Sequence, residues 1–206
     1  MSLLSVYGLS DAPPTAPLTG ARGEPVRSEK IGALFAVVGE VSEAPAISAE
    51  ALRAHDAAVR RIADACEAFL PARFGSVGES LRGLEGREEA LGEALALVRG
   101  REQMTLRVYG DSPPPVRSSG TAYLESLRKA DALDELDPLR TALREIARAE
   151  RMESHRTEGL RASVYHLVDR GTAPSYLRAL QPVALAVKVA PSGPWPAWSF
   201  APEALR

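Results

Sequence analysis

The stretch of sequence that decides the fold is Ser192-Gly193-Pro194-Trp195-Pro196-Ala197-Trp198-Ser199-Phe200. It contains both tryptophans of the chain and a phenylalanine, although only 5% of all residues are aromatic. Pro194 and Pro196 lack backbone N–H donors and hold φ at about −65°, so Trp195 cannot lie inside a helix. The sequence therefore predicts an extended segment that carries three large aromatic side chains.

These three side chains need an apolar surface to pack against. Each of them buries about 150–250 Å² when it is fully packed. At about 25 cal/mol per Å², full burial outweighs the entropy that is lost when the segment becomes ordered, whereas half of that burial would not. We therefore expect Trp195, Trp198 and Phe200 to complete the protein's own core after a strand over residues 183–189. Docking on a partner is the alternative.

Composition and charge restrict the class of protein. The chain has 206 residues, of which 45% are hydrophobic and 25% are charged, as is typical of one large or two small globular domains. Its net charge of −2 argues against a nucleic-acid-binding protein, which usually carries a basic surface. The single cysteine, Cys66, is typical of the reducing cytoplasm. The longest apolar run, residues 31–38, is too short to span a membrane, and no signal peptide is recognised.

Strand and helix patterns alternate along the first half of the sequence. Ser48 is a good helix N-cap, apolar residues follow it at helical spacing, and Pro71 is expected to end the helix. Gly100 is typical of a helix C-terminus and marks a domain boundary. The predicted elements are a strand over 3–7, a strand or strand pair over 25–41, a helix over 48–70, a strand over 73–77 and a helix over 79–98.

The second half reads as strand, helices, strand, short helix and strand. Asp137-Pro138 is an N-cap followed by proline at the first helical position, which predicts a new or kinked helix there. The order suits an α+β domain of ferredoxin-like type. The predicted elements are a strand over 104–109, helices over 120–132 and 138–155, a strand over 160–168, a short helix over 172–180 and the strand over 183–189.

The residues that carry chemistry form no recognisable constellation. The three histidines have neither HxxxH nor HExxH spacing, and Cys66 has no metal-ligand neighbour. Motifs for a phosphate-binding loop, a dinucleotide site or a nucleophile elbow are not found. His55 lies on the apolar stripe of its helix and is expected to be an inward-facing, hydrogen-bonded histidine. We therefore predict no catalytic residue, no metal site and no cofactor.

A second concentrated motif is Phe69-Leu70-Pro71-Ala72-Arg73-Phe74-Gly75. Leu70 and Phe74 are expected to lie in the core. Arg73, between apolar residues, has two interpretations. It either forms an internal ion pair or faces a partner, since arginine is favoured at the energetically important positions of interfaces.

Several short motifs follow one another over nearly the whole chain. They are Tyr7-Gly8 at a strand end, Gly23-Glu24-Pro25-Val26 before the apolar run Ala33–Val38, His55 early in a helix, Leu70-Pro71-Ala72-Arg73-Phe74-Gly75 after it, Gly120-Thr121-Ala122-Tyr123-Leu124, Tyr165-His166-Leu167-Val168 and the aromatic tail Gly193–Phe200. In this order they resemble the gas vesicle protein F/L family (GvpF/GvpL). The tail and the Leu-Pro-x-Arg-Phe-Gly block are specific, whereas each of the others is weak alone. The chain departs from the family at Ala197 and Trp198, which replace the usual Pro-Tyr.

The resemblance implies a two-domain α+β protein, with an N-terminal α+β domain over residues 1–100. The C-terminal domain over 101–206 would be a modified ferredoxin-like domain that ends in the aromatic tail. It also implies a non-enzymatic, cytoplasmic, gas vesicle-associated protein that acts in assembly or as a minor structural component. Its partners would be the hydrophobic shell protein and accessory gas vesicle proteins, rather than nucleic acid or a membrane. The alternative function is that of a ferredoxin-like small-molecule-binding or enzymatic module.

The family motifs also supply candidate structural or partner-contact residues. These residues are Leu70, Pro71, Arg73, Phe74, Gly75, Trp195, Trp198 and Phe200. The resemblance does not distinguish the F-type from the L-type paralogue, and the short segment over residues 169–182 leaves the length of its helix open.

Overall fold

The computed structural model describes residues 2–110, 133–157 and 159–205. The chain forms two compact units, of which the first contains Met1–Glu102 with Trp195–Arg206 and the second Gln103–Pro194. The predicted boundary between residues 100 and 101 lies close to the point where the chain leaves the first unit. The aromatic tail, which the sequence prediction placed in the C-terminal domain, groups with the first unit. That each unit folds as a separate domain stays a prediction.

The first unit contains an antiparallel sheet. Its strands are β1 (Leu3–Ser10), β2 (Leu18–Thr19), β3 (Pro25–Ile31), β4 (Leu34–Val41), β5 (Phe69–Pro71) and β6 (Val77–Gly78). Their order in the sheet is β2-β3-β4-β1-β5, and β6 also pairs with β1. The segment over 25–41 is a strand pair, because Gly32 has a φ of +57° and turns the chain between β3 and β4.

Two α-helices belong to this unit, α1 (Ala49–Asp64) and α2 (Glu88–Val98). The hydroxyl of Ser48 caps α1 by accepting a hydrogen bond from the Ala51 N–H at 3.0 Å, as the sequence predicts. The predicted end at Leu70 is wrong. The helix ends at Asp64, because residues 69–71 pair with β1 and are buried there.

The predicted helix over 79–98 is also too long at its start. A short 3-10 helix, Arg82–Leu84, precedes α2, and Gly86 separates them with a φ of +75° that helical residues do not adopt. The predicted strand over 73–77 is a turn that leads into β6. These errors share a cause, since glycine turns and strand pairing interrupt a pattern that looks continuous along the sequence.

The second unit contains a four-stranded sheet and two α-helices. The strands are β7 (Arg101–Tyr109), β8 (Ala147–Thr157), β9 (Leu160–Asp169) and β10 (Lys188–Trp195), and the helices are α3 (Asp137–Leu143) and α4 (Ala173–Leu180). The order of the strands in the sheet is β10-β7-β9-β8. β8 and β9 are antiparallel neighbours with register shifts near both ends of β8.

Two predictions for the second unit are wrong, and one lies outside the described residues. The predicted helix over 138–155 ends at Leu143, because the charged residues after Ala147 pair as β8 with the apolar β9. The predicted strand over 183–189 begins only at Lys188 and continues to Trp195. The tail is therefore extended as far as Trp195, but Trp198–Phe200 form a 3-10 helix, so the prediction of one extended segment for all three aromatic side chains is wrong beyond Trp195. The helix predicted over 120–132 belongs to the part of the chain that the structure does not describe.

Each unit has its own apolar core. In the first unit α1 packs on the sheet through Ala58, Val59 and Ile62, which are completely buried. In the second unit Met104 and Leu106 of β7 pack with Leu139 and Tyr176 of the helices. The fold is therefore a mixed α and β fold with two sheets. None of the helices within the described ranges has the length and hydropathy that a bilayer crossing requires.

Candidate partner-binding site

The Leu-Pro-x-Arg-Phe-Gly motif begins inside the sheet of the first unit. Leu70 is fully buried in β5 and lies opposite Leu9 of β1, and Pro71 lies opposite Gly8. A Cβ atom at Gly8 would overlap both the carbonyl oxygen of Leu70 and the ring of Phe69. Glycine at this position therefore allows β1 and β5 to approach each other. Leu70 and Pro71 are both buried in this structure.

After β5 the chain makes a turn that is held from both sides. The N–H of Ala72 donates to Tyr7 O at 2.9 Å, and that of Arg73 donates to Leu205 O at 2.8 Å. The N–H of Ser76 donates to Arg73 O at 3.1 Å, and Gly75 has a φ of +83°. A left-handed conformation of this kind favours glycine. The turn thus has a fixed backbone from Ala72 to Ser76.

Arg73 is exposed on this turn. No hydrogen bond or ion pair joins its side chain to any other residue that the structure describes. The internal ion pair, one of the two interpretations that the sequence allowed, is therefore not found in this part of the chain. An exposed cation on a fixed backbone is the arrangement expected for a residue that faces a partner.

Behind the turn, three aromatic rings lie around His55 of α1. The ring centroid of His55 lies 5.6 Å from Tyr7 in a stacked arrangement, 5.5 Å from Phe74 edge-on and 6.1 Å from Trp198. His55 is buried, and its Nε2–H donates to the carbonyl oxygen of Ala72 at 3.3 Å. Burial lowers the pKa of His55, because a charged imidazolium is poorly solvated there. This inward-facing, hydrogen-bonded histidine is the one that the sequence predicts.

Tyr7 extends this aromatic cluster to the Gly-Glu-Pro-Val turn. Its hydroxyl donates to the Glu24 carboxylate and accepts a hydrogen bond from the Ala21 N–H at 2.7 Å. Burial, with the Glu24 hydrogen bond as a smaller cause, raises the pKa of Tyr7 to about 12. A Cβ atom at Gly20 would overlap both the Tyr7 hydroxyl and Glu24. Sequence reasoning treated these residues as separate local motifs and missed the contact between them.

The three tail aromatics have different environments. Phe200 is 1% exposed and lies in the core, whereas Trp198 is half-buried against the α1 side of the core. Trp195 is also only half-buried, and the guanidinium carbon of Arg60 lies 4.1 Å from its ring centroid. The structure thus brings Phe74 and Trp198 together at His55, and it places Trp195 and Phe200 elsewhere on the same unit. The tail packs on the protein's own body, as expected.

A row of hydrogen-bonded side chains in the second unit is a second cluster of titratable groups. Nδ1 of His166 lies 2.8 Å from the Tyr176 hydroxyl, and Nε2 lies 3.1 Å from Glu150, whose carboxylate also contacts Arg140 at 3.2 Å. The hydrogen bond from His166 holds the pKa of Glu150 below its usual value, and burial raises that of Tyr176. His166 and Tyr176 are almost completely buried, so these side-chain contacts connect β8, β9 and α4.

Among the described residues, no group of three histidine, cysteine or acidic side chains is placed to hold a metal ion.

Comparison with known proteins agrees with this fold. The crystal structure of the gas vesicle protein GvpF from Microcystis aeruginosa matches with a TM-score of 0.74 and 17% identity, covering 97% of this chain and 99% of that one. GvpF from Anabaena sp. PCC7120 matches with a TM-score of 0.74 and 16% identity, covering 98% and 97%. A search of curated protein sequences found no match.

The fold and the candidate site define a mixed α and β protein of two compact units with a fixed, cation-bearing turn on the first. The family described as gas vesicle synthesis protein GvpL/GvpF matches residues 4–202. The chain belongs to this family and is a gas vesicle protein. The match confirms the resemblance that the sequence motifs indicate.

Proposed function

We propose that this chain is a non-enzymatic gas vesicle assembly protein or minor structural component. It acts in the cytoplasm at the gas vesicle, where it engages the hydrophobic shell protein and accessory gas vesicle proteins. The observation that carries the proposal is the exposed Arg73 on a turn whose backbone is held from both sides. Family membership supplies the gas vesicle role.

Preorganisation explains why this turn suits binding. A partner that docks on a mobile loop loses affinity because the loop must become ordered. Here the hydrogen bonds of Ala72 and Arg73 and the ring of Phe74 already hold the loop in place. Arginine is among the residues that most often dominate the energy of an interface. An acidic group on the partner would meet Arg73 at little cost in entropy.

The environments of Tyr7 and His55 support a non-enzymatic role for this site. A general acid or base works best when its pKa lies near the operating pH. The raised pKa of Tyr7 and the lowered pKa of His55 move both groups away from that condition. Their polar atoms are also engaged in internal hydrogen bonds with Glu24 and Ala72. The cluster therefore suits a rigid support for the turn.

The element order of the second unit supports the ferredoxin-like assignment of the C-terminal half. In the part of this unit that the structure describes, the strands and α-helices follow in the order β7, α3, β8, β9, α4 and β10, that is strand, helix, strand, strand, helix and strand, which is the ferredoxin-like sequence of elements. The sheet order β10-β7-β9-β8 places the first and third of these strands at its centre. We infer a modified ferredoxin-like domain followed by a tail that belongs to the first unit.

A co-purification experiment tests the function. The tagged chain is expressed with the shell protein and the accessory proteins of its gene cluster, and Arg73→Glu is compared with Arg53→Glu as a matched control. Arg53 is exposed and lies two residues from His55 on α1, so it projects from a different face of that helix.

The Arg73→Glu change should abolish association with at least one partner and leave the melting temperature unchanged, whereas Arg53→Glu should change neither. If both variants associated equally well with the partners, Arg73 would not belong to the interface. The whole function would be rejected if the unmodified chain captured no gas vesicle protein and its deletion left vesicle formation intact.

A further inference from the structure

Two adjoining cavities lie on the first unit, beside the Arg73 turn. The larger has a volume of about 560 Å³ and is lined by the start of β1, the β3–β4 hairpin and the segment that leads into α2. The smaller has a volume of about 200 Å³ and lies between β1, β6, the short helix Arg82–Leu84 and the final turn at Leu205. Ser80 and Leu81 line both cavities. We refer to the two cavities with this shared wall as the groove.

The small cavity has an uncharged and mainly apolar lining. Val6, Val77, Leu81, Leu84 and Leu205 line it together with Ser76 and Ser80. Sites for small organic ligands and cofactors usually measure about 300–1,000 Å³. A cavity of about 200 Å³ is below that range, so a single aliphatic side chain of a partner suits its size and its uncharged lining.

The large cavity is acidic. Five carboxylates line it, those of Glu29, Glu40, Glu79, Glu85 and Glu88. The only cations in its lining are Arg27 and Lys30.

Most of this negative charge is uncompensated. Arg27 forms ion pairs with Glu29 and Glu40, both at 2.7 Å, so it is already engaged. No cation pairs with Glu79, Glu85 or Glu88 among the residues that the structure describes. Unpaired carboxylates along one wall attract a positively charged partner and repel an acidic one.

We propose that this groove binds a short cationic segment of a partner protein, with one aliphatic side chain of that segment inserted into the small cavity. The lysine or arginine side chains beside that anchor meet Glu79, Glu85 and Glu88. A small cation would satisfy the acidic wall but would leave the apolar cavity empty, whereas a peptide segment spans both. The inference rests on the proposed function, because it names the chemistry that the chain recognises in a gas vesicle partner.

Two glycines provide a matched pair of variants. Gly83 lines the small cavity, and a Cβ atom there would have no heavy atom within 4 Å, so Gly83→Trp adds a bulky side chain to the lining without a clash at its base. Gly92 of α2 has the same open space but lines neither cavity. Gly92→Trp is therefore the control. Glu85→Lys reverses one charge of the acidic wall, and Glu93→Lys makes the same change at an exposed position of α2 outside the groove.

The probe is a synthetic peptide with a central leucine flanked by lysines, titrated into the ¹⁵N-labelled full chain and followed by NMR. Two further peptides carry alanine in place of the leucine, or glutamates in place of the lysines. We expect shifts of the amide signals that line both cavities. Loss of the leucine or the Gly83→Trp change should weaken binding by about tenfold or more, as expected for one buried aliphatic side chain. Glu85→Lys should weaken binding and reduce its dependence on salt.

The inference is overturned if no peptide binds, if the alanine or glutamate peptide binds as tightly as the first, or if Gly83→Trp and Gly92→Trp behave alike. The same variants are then used in co-purification with the shell and accessory proteins. If Gly83→Trp still associated with these proteins, the groove would be rejected as their binding site, and the proposed function would be retained. Peptide binding without any captured gas vesicle protein would support the groove and reject that function.

Discussion

The hydroxyl of Tyr7 donates a hydrogen bond to the carboxylate of Glu24, and this contact joins two of the family motifs at one part-buried position. The other oxygen of the same carboxylate accepts a hydrogen bond from the Arg22 N–H at 2.9 Å. On its other side the Tyr7 ring stacks on His55. One tyrosine therefore connects the first strand, the turn before β3 and the helix that supports the Arg73 turn.

Replacing Tyr7 with phenylalanine should destabilise the protein by about 1–3 kcal/mol, because Glu24 and the Ala21 N–H each lose a hydrogen-bond partner at a part-buried site. Urea unfolding measures the change. Tyr165→Phe is the control, since the hydroxyl of Tyr165 donates to Glu153 on the exposed surface, where the loss should be small. If both variants lost the same free energy of unfolding, the contact of Tyr7 with Glu24 would contribute no more to stability than an exposed hydrogen bond.

Replacing Gly8 with alanine should cost about 1–3 kcal/mol or more, because the new methyl group overlaps the Leu70 carbonyl and the Phe69 ring. Gly92→Ala, at a helical position with open space, should instead stabilise the protein by about 0.5–1 kcal/mol. Thermal melting of both variants gives opposite shifts if β1 and β5 approach as closely as the structure shows. A neutral Gly8→Ala would contradict that approach.

The tail aromatics should contribute unequally to stability. Phe200→Ala removes a ring that is 1% exposed and should cost about 3–5 kcal/mol. Trp195→Ala should cost clearly less, about 1–2 kcal/mol, because its ring is half-buried and its contact with Arg60 is a cation–π interaction. A double-mutant cycle with Arg60→Gln isolates that contact. A Trp195→Ala loss as large as that of Phe200→Ala would show that Trp195 belongs to the core.

Stability should fall as the pH decreases below the ordinary histidine pKa of 6.5. The folded state lowers the pKa of His55 from that value because the side chain is buried, so the unfolded chain binds a proton first, and this binding lowers its free energy relative to the folded chain. The stabilisation is complete above the unfolded pKa and is lost as the pH falls through the folded pKa. His55→Gln keeps a donor for the Ala72 carbonyl but removes the titration.

Melting temperatures at several pH values compare this variant with the unmodified chain. Glu150, whose pKa is lowered, loses its stabilisation only below its ordinary value of 4.5, so the two effects separate. If the melting temperatures of His55→Gln and of the unmodified chain changed with pH in the same way, groups other than His55 would cause the effect.

For α1, a local signal in the sequence predicts where the helix begins but not where it ends. Ser48 marks the start of α1 correctly because a cap acts on the next three residues only. The end of the same helix depends on β1, which lies more than fifty positions earlier in the chain and pairs with residues 69–71. Helical spacing continues through Cys66 to Leu70, so no local feature reveals this competition.

The candidate site shows the same limit. The sequence identified the motif around Arg73 and the family to which the chain belongs, since both depend on residue order alone. It could not decide between an ion pair and an exposed cation, because that depends on which acidic residues the turn brings near Arg73. The groove beside the turn was not predicted, since its walls come from strands, a 3-10 helix and the final turn at Leu205.

The grouping of Trp195–Arg206 with the first unit has a consequence for synthesis of the chain. Chains leave the ribosome from the N-terminus at about 5–20 residues per second, so Met1–Glu102 emerges long before Trp198 and Phe200. Until these rings arrive, the apolar surface that they cover faces solvent, and the Arg73 N–H lacks its bond to Leu205. The nascent first unit thus stays incomplete until the whole second unit has been translated.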